Sequence, residues 1–240
     1  MTEKFIPEIY TPLKTSVVGP PAIARQVGGI KILGQKIKTL IFTTDVAIVN
    51  NTNADAVLAV YPFTPHPAVM NAISNVATIP VLNGIGGGLT SGSRSAYMGL
   101  LAEAAGSMGV VVNAPTSVET IKMINKVVDV PIVGTVVSER QNYAAQIEAG
   151  VSILNVSGAA KTPAIIKAIR QKYPQIPIIA TGGHDEEAIL STIEAGRDLL
   201  CLGIPQGPEI GRILNVLLEQ VVEETLPNEP DALKEAARKV

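Results

Sequence analysis

Ile176–Gln206 reads IPIIATGGHDEEAILSTIEAGRDLLCLGIPQ. Pro177 opens a short apolar run, Gly182-Gly183 turns it, and an amphipathic stretch follows from Asp185 to Ala195. Gly196 stops that stretch, and a second apolar run ends at Gly203. Proline is tolerated at the first residue of a strand, and glycine closes a helix that precedes one. The stretch therefore predicts two parallel strands joined by a helix, each strand ending in a glycine turn. Glycine lets backbone come close to a ligand, so the two turns can aim several N–H groups at one oxyanion. A phosphorylated small molecule is the ligand class this suggests.

The same punctuation recurs upstream. Ile79-Pro80-Val81, Val130-Pro131-Ile132 and Ile176-Pro177-Ile178 mark strand starts about 46 to 51 residues apart. Glu103-Ala104-Ala105-Gly106, Glu148-Ala149-Gly150 and Glu194-Ala195-Gly196 mark helix ends between them. Read through, strands fall near 37–43, 56–61, 80–83, 108–113, 131–136, 151–156, 177–181 and 199–203. Helices fall near 45–51, 66–76, 92–105, 117–127, 139–148, 162–173, 185–195 and 208–223. Eight of each predicts an α/β fold, a single (β/α)8 TIM barrel over 37–224, with an open doubly wound sheet as the runner-up. Residues 1–36 are expected as an N-terminal extension, a short helix plus a strand covering the barrel bottom. Residues 225–240 are expected as a C-terminal surface helix, and either end offers a surface for homo-oligomerisation.

Composition agrees with that architecture. Of 240 residues, 47% are apolar and only 3% aromatic, with no tryptophan, so the core must be Val, Ile, Leu and Ala. Such residues suit parallel strands buried on both faces. A net charge of −2 lacks the basic surplus of a nucleic-acid binder, so nucleic acid is not expected as a partner. One cysteine, Cys201, excludes a disulfide framework. No signal peptide or membrane-length apolar run is legible, and the expectation is a cytoplasmic protein.

In a barrel, ligands meet the C-terminal ends of the strands. Asn83, Asn113 and Asn155 stand there at matching places in the repeat, and predict a ring of amides that bind hydroxyls or carbonyls. Each equally reads as a helix cap or loop-satisfying residue. Asp45 follows the first strand, either as general base, hydroxyl acceptor or helix N-cap. His66 lies in a stiff three-proline loop, Tyr61–Pro67, either as acid–base group or as a backbone-bonded histidine. Lys161 can neutralise an anion or reach solvent, and Glu139, beside Arg140, can act as an acid or open a solvated helix. His184, after the Gly-Gly turn, reads as phosphate contact or cap. The loop Gly84–Gly92 is glycine-rich enough for close ligand approach or a lid, yet lacks the surroundings of a dinucleotide fingerprint. Two distant histidines and scattered acids give no metal motif. No cofactor is expected, apart from a Mg2+ carried through substrate phosphate.

ILNVSGAAKTPAIIKAI (153–169) followed by PIIATGGHDEEAILSTIEAGRDLLCLG (177–203) resembles the ribulose-phosphate-binding barrels. That resemblance implies phosphate contacts from Gly182 and Gly183 and from Gly203 with Ile204. It implies an isomerase, epimerase or lyase acting on a small phosphorylated sugar or carbonyl metabolite. The strand Ser152–Val156 lacks the lysine of that group's aldolases. From about residue 40 to 203 the layout is also similar to the glycerol-uptake operon antiterminators. The shared marks are Asp45 after a short first unit, the glycine-rich loop, SGAAKTP and the Gly-Gly turn. This second resemblance implies a barrel that senses glycerol phosphate and acts on RNA. A hydrolase working on a non-phosphorylated molecule is a further alternative.

Overall fold

In the computed structural model, the described residues are 18–181, 186–196 and 199–203, with isolated positions at 7, 9 and 11. The chain divides into two compact units after Ile204, and the second, Pro205–Val240, lies outside the described residues. The helix expected at 208–223 and the terminal helix at 225–240 therefore lie outside them too.

The fold is α/β, with a curled, all-parallel sheet wrapped by helices. Its strands are β3 (Thr39–Phe42), β4 (Ala56–Ala59), β5 (Val81–Gly86), β6 (Gly109–Val112), β7 (Ile132–Val136), β8 (Val151–Val156), β9 (Ile178–Ala180) and β10 (Leu199–Gly203). Each pairs with the next, and β10 pairs with both β9 and β3. The helices are α1 (Val46–Asn50), α2 (Pro67–Val76), α3 (Gly92–Ala104), α4 (Val118–Asn125), α5 (Tyr143–Glu148), α6 (Thr162–Lys172) and α7 (Glu186–Ala195). The alternation of strand and helix thus follows the proline and glycine punctuation, seven helices among the described residues.

Side chains alternate along each strand, so consecutive residues belong to different layers. Leu40, Leu58, Leu82, Val111, Val133, Ile153 and Ile179 form one cluster inside the curled sheet. Val110, Val112, Ile132, Leu154 and Ile178 face the other way and pack with Ile121, Ile124, Ile165 and Ile169 of the helices. Each fully buried leucine or isoleucine is worth roughly 1.5–3 kcal/mol, so the two layers carry most of the driving force.

The expected single strand of the extension is instead an antiparallel hairpin, β1 (Ile30–Ile32) and β2 (Gln35–Ile37). Its turn is Leu33-Gly34, both with positive φ (46° and 85°), the conformation that a tight two-residue hairpin requires. Leucine is a poor signal for that turn, which hid the hairpin from sequence reading. Ile37, assigned to the first sheet strand, ends the hairpin. Ile30, Ile32 and Ile37 join the interior cluster, so the hairpin plugs the N-terminal end of the sheet. Ahead of it, the 3₁₀ turn Ala22–Gln26 is anchored by Arg25, whose guanidinium meets Asp55 at 3.1 Å.

The helix expected at 139–148 begins only at Tyr143. Gln141 folds the preceding segment into a turn instead. Its Oε1 accepts from Val137 N at 3.1 Å, and its Nε2 donates to Thr135 O at 2.8 Å. Asn142 then caps α5 by accepting from Ala145 N.

Candidate functional site

The described C-terminal ends of the strands carry a polar layer directly above the apolar interior. Counting in steps of two from the interior residues Val111, Val133, Ile153 and Ile179 gives Asn113, Thr135, Asn155 and Thr181. Three of these are joined. Thr181 Oγ1 donates to Asn155 Oδ1 at 2.6 Å, and Asn155 Nδ2 leans on Thr135 Oγ1 at 3.4 Å. The chain of contacts continues into the SGAAKTP segment. Thr162 Oγ1 accepts from Gly158 N at 3.0 Å and faces Thr181 O at 3.5 Å. Ala159, between them, is held at φ 49°, a left-handed conformation that costs a residue with a Cβ.

Asn83 does not join that layer. It neighbours interior-facing Leu82, so it points out of the sheet, where it is 1% exposed. There its Nδ2 donates to Ser107 Oγ at 2.6 Å. The three-amide ring is thus reduced to Asn113 and Asn155 on the interior side. Asn113 sits against the glycine-rich loop: its N–H donates to Gly86 O at 3.0 Å. At Gly87 (φ 134°) a Cβ would lie 2.4 Å from that of Asn113, so only glycine permits this approach. Tyr61, Phe63, Gly84 and Asn113 share a small cavity of about 20 Å³. Larger cavities, of about 460 and 530 Å³, lie at the opposite, N-terminal end, around Gly29–Leu33 and around Thr78–Val81.

The acid–base candidates stand apart from this layer. Asp45 is exposed and caps α1, its Oδ1 accepting from Ala47 N at 2.8 Å and Ile48 N at 3.3 Å. Thr43 Oγ1 in turn accepts from Asp45 N at 3.1 Å. His66 is exposed and caps α2, its Nδ1 accepting from Ala68 N at 3.2 Å. Tyr61 Oη accepts from His66 N at 2.9 Å and steadies the loop. Lys161 is exposed at the end of the short 3₁₀ turn Ala159–Lys161, and Glu139 is exposed in the turn before α5. Neither makes a side-chain bond with the polar layer. Gly182, Gly183, His184 and Ile204 lie outside the described residues. Gly203 is described as the last residue of β10, paired with Ile41.

Thr181, Thr162 and Gln141 were missed as interacting residues. The legible signal was positional: Thr135, Asn155 and Thr181 each lie two residues beyond a buried apolar residue in successive strands.

Among the described residues, no group of three or more His, Cys, Asp or Glu could hold a metal ion. Asp45 is a lone carboxylate with one oxygen engaged in its cap, which does not suit a cation held by protein ligands alone. No described helix is long and apolar enough to cross a membrane.

Solved structures match this fold over most of its length. Phosphonopyruvate hydrolase aligns with a TM-score of 0.59 at 16% identity, covering 81% of this chain and 85% of that one. 2,3-Dimethylmalate lyase, a PEP mutase/isocitrate lyase superfamily member, aligns at 0.61 and 12%, covering 83% and 89%. Phosphoenolpyruvate phosphomutase from Streptomyces platensis subsp. rosaceus aligns at 0.61 and 10%, covering 85% and 86%. At these identities the likeness is one of fold. It supports a barrel-like α/β fold, and the neighbours include members of the PEP mutase/isocitrate lyase superfamily, which does not bear out the specific ribulose-phosphate-binding resemblance. The expectation of no cofactor is corrected by the same neighbours, whose superfamily typically uses Mg2+. No curated protein matches the chain. One family model does, that described as "tRNA nucleotidyltransferase domain 2 putative", over residues 113–237. That span is more than half of the 240 residues and takes in β7 through β10, so the chain belongs to this family.

Proposed function

We propose that the chain is a lyase- or mutase-type enzyme acting on a small phosphorylated or carboxylate substrate at the C-terminal ends of its strands. The observation that carries this reading is the Thr135–Asn155–Thr181 layer, a hydrogen-bonded polar cluster on top of an otherwise apolar sheet interior. Polar groups are placed above a packed core at some cost, and in barrels this end is where ligands bind. The fold neighbours, which include a phosphonopyruvate hydrolase and a 2,3-dimethylmalate lyase, support the reaction class. On this reading the chain completes a (β/α)8 barrel. Gly182, Gly183, His184, Gly203 and Ile204 hold the phosphate, and Asn113 and Asn155 contact the rest of the substrate. Asp45, His66, Lys161 and Glu139 are the proton-transfer and charge-neutralising candidates. A homo-oligomer in the cytoplasm is the accompanying proposal.

The test is a thermal-shift panel in Mg2+-containing buffer: phosphonates, phosphorylated C3 to C6 metabolites, 2-oxo acids and 2-hydroxy diacids. A stabilising ligand is then assayed for C–C or P–C cleavage by product release. The reading fails if no class raises the melting temperature.

The family match over 113–237 favours a second reading, in which the chain engages tRNA. Its sign would be tRNA binding that weakens steeply with salt, since phosphate contacts release counterions. Binding absent at low salt would remove it.

A further inference from the structure

We propose that Thr181 fixes the orientation of the Asn155 amide so that Asn155 Nδ2 and Thr135 Oγ1 offer two adjacent donors to a carboxylate or enolate oxygen. This rests on the lyase or mutase reading above and names the substrate chemistry of that site.

The distances set the amide. A separation of 2.6 Å between Thr181 Oγ1 and Asn155 suits O–H···O and is short for N–H···O. Asn155 therefore turns its Oδ1 to Thr181, whose hydroxyl hydrogen is spent on it, and its Nδ2 toward Thr135. An asparagine amide carries two N–H groups. One leans on Thr135 Oγ1 at 3.4 Å, and the second has no partner among the described residues. Thr135 Oγ1, acting as acceptor there, keeps its own hydrogen to give. The Asn155 Oδ1 is held by the bond it accepts from Thr181. The hydrogens left to give at this spot are two, side by side.

The surroundings sharpen the preference. Asn155 is 5% exposed, and the interior residues one step below, Val133, Ile153 and Ile179, are buried and apolar. Donors held away from bulk water bond most strongly to an ionised oxygen. Two adjacent donors match the two oxygens of a planar carboxylate, or one enolate oxygen receiving both. A neutral sugar hydroxyl can accept these hydrogens too, but without the charge that strengthens the bond. Thr181 is thus a positioning residue, acting through Asn155. Its main-chain carbonyl, facing Thr162 Oγ1 at 3.5 Å, ties that position to the Gly158–Thr162 segment.

The experiment is calorimetric titration of the full chain, in Mg2+-containing buffer, with oxalate, malonate and inorganic phosphate. The proteins are wild type, Thr181→Val, Thr181→Ser, Thr135→Val and Asn155→Asp. Losing one oriented hydrogen bond to an anion should weaken oxalate or malonate by about 10-fold in Thr181→Val and in Thr135→Val. Thr181→Ser, which keeps the hydroxyl, should stay within about 3-fold of wild type. Asn155→Asp, which sets a carboxylate against the ligand, should lose at least that 10-fold. Phosphate binding should change little in Thr181→Val. If Thr181→Val does not fold, Thr135→Val carries the same comparison. Equal dicarboxylate affinity in wild type and in the folded variants overturns the inference and leaves the lyase or mutase reading standing. Binding of phosphate without either dicarboxylate also overturns it alone. Binding of none of the three, with no hit in the thermal-shift panel, overturns both.

Discussion

Replacing Asp55 by alanine should cost the fold about 2–4 kcal/mol at neutral pH, although the residue lies at the end of the sheet opposite the candidate site. Its Oδ2 accepts from Lys38 N at 2.8 Å, Thr39 N at 3.0 Å and Thr39 Oγ1 at 3.2 Å. Its Oδ1 meets Arg25 Nη1 at 3.1 Å. Hydrogen bonds to a charged group contribute roughly 1.5–3 kcal/mol each, less than additively when they share one acceptor. The Arg25 side chain is 42% exposed, so its ion pair is screened and adds about 0–1 kcal/mol. Burial pushes the Asp55 carboxyl up, but the Lys38 and Thr39 N–H groups and then the Arg25 guanidinium outweigh it and hold it below the usual carboxylate range. The sign follows from that depression. The contribution is fully present above the unfolded-state value and is lost as pH falls through the lower folded-state value. Urea unfolding followed by circular dichroism suits a chain without tryptophan. Asp55→Ala should lower Tm by about 5–15 °C at neutral pH, while Arg25→Ala should cost under about 1 kcal/mol. The gap between wild type and Asp55→Ala should narrow below about pH 4. A neutral-pH difference under about 0.5 kcal/mol, or a gap that widens in acid, would refute the reasoning.

Two substitutions separate fold from function at the other end. Asn83→Ala strands the buried Ser107 hydroxyl and should cost about 1–3 kcal/mol in urea unfolding, with ligand affinity unchanged because the amide faces out of the sheet; a large affinity loss with intact stability would place it in the site instead. Asp45→Asn keeps an N-cap acceptor for Ala47 N and Ile48 N, so stability should move by less than about 0.5 kcal/mol, against about 1 kcal/mol for Asp45→Ala. Loss of turnover in Asp45→Asn at unchanged stability would show that the carboxylate works beyond its cap.

The alternation of strands and helices was legible from residue order, because its signals are local. Pro80, Pro131 and Pro177 precede strands, and Gly106, Gly150 and Gly196 follow helices, for reasons of backbone conformation that need no tertiary context. The cap role of Asp45 and a backbone hydrogen bond for His66 were among the readings open from sequence for the same reason. Which way a strand residue faces was not legible. Strands buried on both sides read as continuous apolar runs, so a period of two leaves no trace in them. Asn83 and Asn155 therefore looked equivalent, and only the packed sheet shows the first pointing out to Ser107 and the second inward to Thr181. That last contact joins residues 26 apart in the chain through two neighbouring strands. The hairpin over residues 30–37 was hidden in turn, because its identity lies in the positive φ of Leu33 and in the fit of Ile30, Ile32 and Ile37 into the sheet's interior. By itself, then, the sequence determined the order of elements and the end at which polar residues gather. Tertiary structure alone decided which of those polar residues meet, since facing and register are set when the sheet curls and its two layers pack.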